Sequence, residues 1–147
     1  MGDAIARRFV GTWRLISYCA VTPDGATTYP FGPHPQGRLI YEANGRMAVQ
    51  LGQPGQPPFA SGDSRVPTDA EAREAYRRYL AYFGTYGVHE DQGIVVHHLE
   101  ASLVPDWTGR DQVRQFALEG DRLTLTTPPT LFGGIARVAT LVWERLP

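Results

Sequence analysis

Gly11-Thr12-Trp13 opens an apolar run near the start of the chain, and Trp143-Glu144-Arg145 closes another near its end. Both runs are rich in β-branched and aromatic residues, which marks them as strands. If the first and last strands lie side by side, the Arg145 guanidinium stacks on the Trp13 indole and ties them together. The sheet is then closed, and its edges are removed by pairing. Trp13 and Arg145 are therefore read as structural closure residues.

The chain between them alternates strand-like runs with turn signals. Phe9 to Ala20 is the first strand, and Pro23-Asp24-Gly25 is a turn in which Pro presets φ and Gly accepts φ > 0. Thr27 to Tyr29 is a short strand. Gly37 to Glu42 and Arg46 to Leu51 flank Asn44-Gly45, a dipeptide suited to a type I′ hairpin. Gly52 to Pro67 is a loop rich in Gly, Pro, Gln and Ser. Thr68-Asp69-Ala70-Glu71 has the form of a capping box, and the apolar positions Ala72, Ala75, Tyr76, Tyr79, Leu80 and Phe83 form one helical stripe. A helix over 68–83, stopped by Gly84, is expected. Strands resume over 85–89, 93–104, 112–118, 122–126 and 137–146. The expected fold is all-β: a closed antiparallel up-and-down barrel of eight or nine strands in a single domain over 1–147, with one helix near its mouth.

Composition narrows the function classes. The 147 residues carry a formal charge of −1, so no strong field draws nucleic acid or an anionic membrane. No apolar run approaches the roughly 18 residues of a membrane span, and residues 1–8 lack the apolar core of a secretory signal, so a cytoplasmic protein is expected. All 14 basic residues are Arg, which removes lysine chemistry. Cys19 is alone, so neither an internal disulfide nor a multi-cysteine metal site forms. His97 and His98 are adjacent on a strand and face opposite sides, so they do not share a metal. No phosphate-binding glycine loop matches, and no cofactor is expected.

Several segments together resemble the bacterial lipocalin-like domain family of small lipocalin-type barrels. They are Phe9-Val10-Gly11-Thr12-Trp13-Arg14-Leu15, Tyr29-Pro30-Phe31-Gly32-Pro33, Leu39-Ile40-Tyr41, Asn44-Gly45-Arg46-Met47, Phe59-Ala60-Ser61-Gly62-Asp63, Tyr82-Phe83-Gly84-Thr85-Tyr86, His97-His98, Asp111-Gln112-Val113-Arg114 and Gly120-Asp121-Arg122-Leu123. They run in order along nearly the whole chain. The resemblance implies a barrel holding a small, partly apolar molecule, and leaves the chemistry to the lining of the site.

Strand alternation nominates that lining. If Trp13 points inward, so do Leu15, Ser17 and Cys19. Along 93–104 either parity places one imidazole inside. His98 is preferred as a general acid/base because Glu100 shares its face and could orient it. Gln112, Arg114 and Phe116 share another face, where Arg114 pairs with Glu100 or meets a ligand carboxylate. Tyr41, Tyr82 and Tyr86 offer apolar bulk with one polar tip, while Tyr76 and Tyr79 pack the helix, which is placed to act as a lid.

Three readings follow. The first is a binding protein for a partly apolar metabolite, aromatic or polyketide-like. The second is a cofactor-free isomerase, cyclase or hydratase working in the same cavity through His98. The third is a filled barrel whose outer surface binds a partner or a second copy, as a homodimer.

Overall fold

A computed structural model describes residues 2–147. A short helix, α1 (Gly2–Phe9), leads into β1 (Gly11–Val21), β2 (Thr27–Thr28), β3 (Gln36–Tyr41) and β4 (Arg46–Gly52). Helix α2 (Asp69–Arg77) precedes β5 (Tyr79–His89) and β6 (Ile94–Ser102). Then come β7 (Asp111–Glu119), β8 (Arg122–Thr126), β9 (Thr130–Phe132) and β10 (Ile135–Arg145). The sheet runs β1-β3-β4-β5-β6-β7-β8-β10, and β10 pairs back onto β1. Eight antiparallel strands thus close a barrel, while β2 and β9 extend β1 and β10 at one rim.

Closure runs along most of two long strands, from Trp13↔Arg145 to Val21↔Val138. At the sealed end the Arg145 guanidinium carbon sits 4.3 Å from the centroid of the Trp13 ring. Its Nη1 donates to the Val10 carbonyl at 2.6 Å, and its Nη2 donates to the Arg8 carbonyl. Trp13 Nε1 donates to the Phe9 carbonyl at 2.9 Å, so the indole holds the end of α1 across the barrel floor. Gly11 lies beneath this stack at φ 142°, where a Cβ would meet Arg145 Nη1 at 2.7 Å. Only glycine suits both the angle and the space.

Four sequence expectations change. First, Phe9 closes a helix that the apolar pattern did not reveal, so β1 begins at Gly11. Second, a β-bulge between Leu15 and Ser17 reverses the facing of the rest of β1. Tyr18 and Ala20 turn inward, while Ser17 and Cys19 lie on the half-buried outer side. Third, Asn44 does not take positive φ; Gly45 alone does, at 88°. Gly45 N–H bonds the Glu42 carbonyl and Glu42 N–H bonds the Arg46 carbonyl, which is a type I turn with a glycine bulge rather than type I′.

Fourth, α2 stops at Arg77 instead of running to residue 83. Its capping box forms: Glu71 N–H donates to Thr68 Oγ1 at 3.1 Å, and Thr68 N–H donates to Glu71 Oε1 at 2.8 Å. From Tyr79 onward the chain pairs with β4, residue by residue from Gly52↔Tyr79 to Arg46↔Thr85. Ladder bonds and burial of alternate residues outweigh the helical stripe. The helix buries no residue, and Tyr76 and Tyr79 are exposed. It is therefore not a packed lid. Gly84 lies inside β5 at a second bulge, where a Cβ would come within 1.9 Å of the His98 carbonyl oxygen.

Candidate functional site

The barrel interior divides into a packed floor and a narrow hollow above it. The floor is aromatic. Phe9 meets Tyr41 edge-on at 5.5 Å and Phe116 at 5.0 Å, and Tyr41 lies 4.6 Å from Tyr86. Above it a cavity of about 40 Å³ is walled by residues including Tyr18, Leu80, Tyr82, His97, Trp107, Arg114 and Trp143. That volume holds on the order of a few waters.

His97 is 1% exposed, the one buried charged or polar side chain among the described residues. Its Nε2 lies 2.6 Å from the Tyr41 hydroxyl and its Nδ1 lies 2.7 Å from the Tyr82 hydroxyl. Both ring nitrogens are thus held by phenols drawn from β3 and β5. Burial, with smaller contributions from the Arg114 and His98 charges, lowers the His97 pKa to about 3, so the ring is neutral at physiological pH. Burial raises the phenols of Tyr18, Tyr41 and Tyr82, partly countered by the Arg114 charge, so they stay protonated.

Arg114 enters the wall from β7, half-buried. Its Nη1 donates to the Val113 carbonyl at 3.0 Å and its Nη2 to Gln112 Oε1 at 3.2 Å. Among the described residues it makes no ion pair. Trp143 Nε1–H is buried in the same region without a hydrogen-bond partner. The hollow thus carries cationic and neutral donors, and no carboxylate lines it among the described residues.

The residues nominated from sequence separate accordingly. Tyr82 and Arg114 line the cavity. Tyr41 lies one step behind, on the far side of His97, and Gln112 steadies Arg114. Tyr86 and Phe116 belong to the floor, and the Tyr86 hydroxyl donates to the Glu42 carbonyl at 2.9 Å. His98 and Glu100 are exposed on the outer face of β6, where His98 Nδ1 pairs with Asp111 at 2.7 Å. This corrects the preference for His98 as an interior acid/base and for Glu100 as the partner of Arg114. Alternation puts both on the wrong side of the wall. His97 takes the inward place, and its two tyrosines are the feature that sequence spacing did not reveal. Tyr18 was hidden by the bulge in β1. Trp107 falls between the strands expected over 93–104 and 112–118, yet its ring stands 6.3 Å from that of Tyr82 at the mouth.

The chain is similar to known proteins. The family model described as a lipocalin-like domain matches residues 10–146. A 4'-hydroxy-3'-methoxypropiophenone carrier protein of Aspergillus oryzae is 34% identical over 108 residues, covering 69% of this chain and 97% of the relative. A solved lipocalin-like protein from Bacteroides uniformis is 11% identical with a TM-score of 0.46, covering 94% of this chain and 98% of that one.

Proposed function

The chain belongs to the lipocalin-like domain family, and from that premise we propose that it binds a small, partly apolar, oxygen-bearing aromatic molecule inside the barrel. One observation carries the reading: the interior keeps a guanidinium without an ion pair, Arg114, beside a hollow lined by Tyr18, Tyr82 and an orphaned indole N–H. A core shaped for stability alone would fill such a site with hydrocarbon, because a half-buried cation without a counter-ion and an unbonded buried donor both cost free energy. Aromatic walls with a few convergent polar groups are the usual chemistry of a small-molecule site. The Aspergillus oryzae relative, named as a carrier of an oxygenated aryl ketone, supports the same class of guest.

Binding is favoured over turnover by the state of the interior histidine. Both His97 nitrogens are engaged by phenols, and its depressed basicity suits it poorly to take a proton near neutral pH. The hollow of about 40 Å³ lies well below the roughly 300 Å³ of small ligand pockets, so a guest enters by displacing mouth side chains. Trp107 and Leu80 are the movable ones, since they stand at the end of the barrel away from the Trp13–Arg145 seal.

Titration with 4'-hydroxy-3'-methoxypropiophenone, followed by calorimetry and tryptophan fluorescence, tests the proposal. A saturable one-to-one isotherm that weakens in Arg114→Met is expected. No saturable binding up to the solubility limit, either of this ketone or of related phenolic ketones and acids, would overturn it.

A further inference from the structure

Resting on that binding reading, we propose that the chain Tyr41–His97–Tyr82 aims the Tyr82 hydroxyl proton into the cavity, so that the buried end of the guest is an oxygen acceptor, a carbonyl or a carboxylate. A neutral imidazole has one N–H and one bare nitrogen. With a phenol on each, the protons run one way or the other along the chain. In one direction Tyr41 donates to Nε2, Nδ1–H donates to Tyr82, and the Tyr82 proton is left over. In the other Tyr82 donates to Nδ1, Nε2–H donates to Tyr41, and the Tyr41 proton is left over.

Burial decides between them. Tyr41 is 1% exposed, is packed by Phe9 and Tyr86, and makes no other side-chain hydrogen bond among the described residues. A leftover proton there would be a buried donor without an acceptor. Tyr82 borders the hollow, where its proton can meet a guest. The first direction therefore holds, and His97 carries its proton on Nδ1. Tyr82 is then a donor toward the cavity, beside the Arg114 guanidinium and the unpartnered Trp143 Nε1–H. An oxygen acceptor satisfies this wall. A guest presenting only hydrocarbon leaves it unbonded.

Two measurements test the proposal on the full-length protein. Long-range proton–nitrogen NMR of the unliganded protein reads the His97 tautomer directly. Binding of three probes of related skeleton, 4-hydroxypropiophenone, 4-propylphenol and 3-(4-hydroxyphenyl)propanoate, is then compared in the wild type and in Tyr82→Phe. A bare Nε2 and a protonated Nδ1 are expected. So is a preference of about ten-fold for the ketone or the acid over 4-propylphenol, lost in Tyr82→Phe. Whichever of the two binds tighter identifies the acceptor as carbonyl or carboxylate. A proton on Nε2, or equal weakening of all three probes by Tyr82→Phe, would overturn the inference while leaving the binding reading intact. Failure of every probe and of the ketone above would remove both.

Discussion

A neutral imidazole clamped between two buried phenols makes the fold sensitive to acid. The folded pKa of His97, about 3, lies below the ordinary 6.5. Between those values the unfolded chain binds a proton that the folded chain refuses. Stability contributed by the neutral ring is complete above pH 6.5 and declines as pH falls toward 3, by on the order of 5 kcal/mol in all. Urea midpoints across that window should fall in the wild type and fall less in His97→Gln; parallel curves would count against the assignment. Arg114→Met should act oppositely on stability and binding. It should raise stability by about 1 kcal/mol, because an unpaired cation leaves the wall, while weakening acidic guests. At this scale the sequence was half legible. Alternation guaranteed that one of His97 and His98 faced inward, but Glu100 favoured the wrong one. The right one was marked by tyrosines 56 and 15 residues away, a relation that spacing cannot show.

Elements were legible where local chemistry and pairing agree. The capping box at Thr68 fixed the start of α2, and the turn glycines placed the hairpins. The end of α2 was not legible, because Tyr79 to Phe83 are apolar at every position and suit a helical stripe and a strand alike, and the ladder to β4 chose between them. The bulges in β1 and β6, at Ile16 and Glu100, were equally silent, since a bulge answers the partner strand rather than its own composition. Gly84 nonetheless offers a test of the second one. A methyl group there would come within 1.9 Å of the His98 carbonyl, and backbone on both strands must shift to admit it. Gly84→Ala should cost about 2 kcal/mol or more in denaturant unfolding, against less than about 1 for Gly87→Ala in the same strand, where a Cβ would meet only His89 Nε2 at 3.6 Å. Thr68→Ala should loosen α2 yet leave guest affinity unchanged, because no α2 residue lines the cavity.

The whole molecule has a fixed end and a yielding end. Its closure could be read from the two termini of the chain because Gly11, Trp13 and Arg145 each make sense only in the presence of the others. The hollow could not, because its size depends on side chains that several strands and one rim loop bring together. At the sealed end lie the floor aromatics, α1 and the Arg145 bonds. At the other end the loops over 53–68 and 103–110 are largely exposed, and Trp107 stands on a single turn of 3₁₀ helix, Pro105–Trp107. A guest larger than the present hollow must therefore enter past Trp107, and entry is limited by local opening of that rim. Trp107→Ala should speed both association and release in stopped-flow measurements, with a smaller change in affinity than in either rate. Hydrogen exchange should agree: amides over 103–110 should exchange fast in the free protein and slow on guest binding, while those pairing β1 with β10 stay protected throughout. Protection gained instead around α1 and the Trp13–Arg145 seal would place the entrance at the wrong end of the barrel.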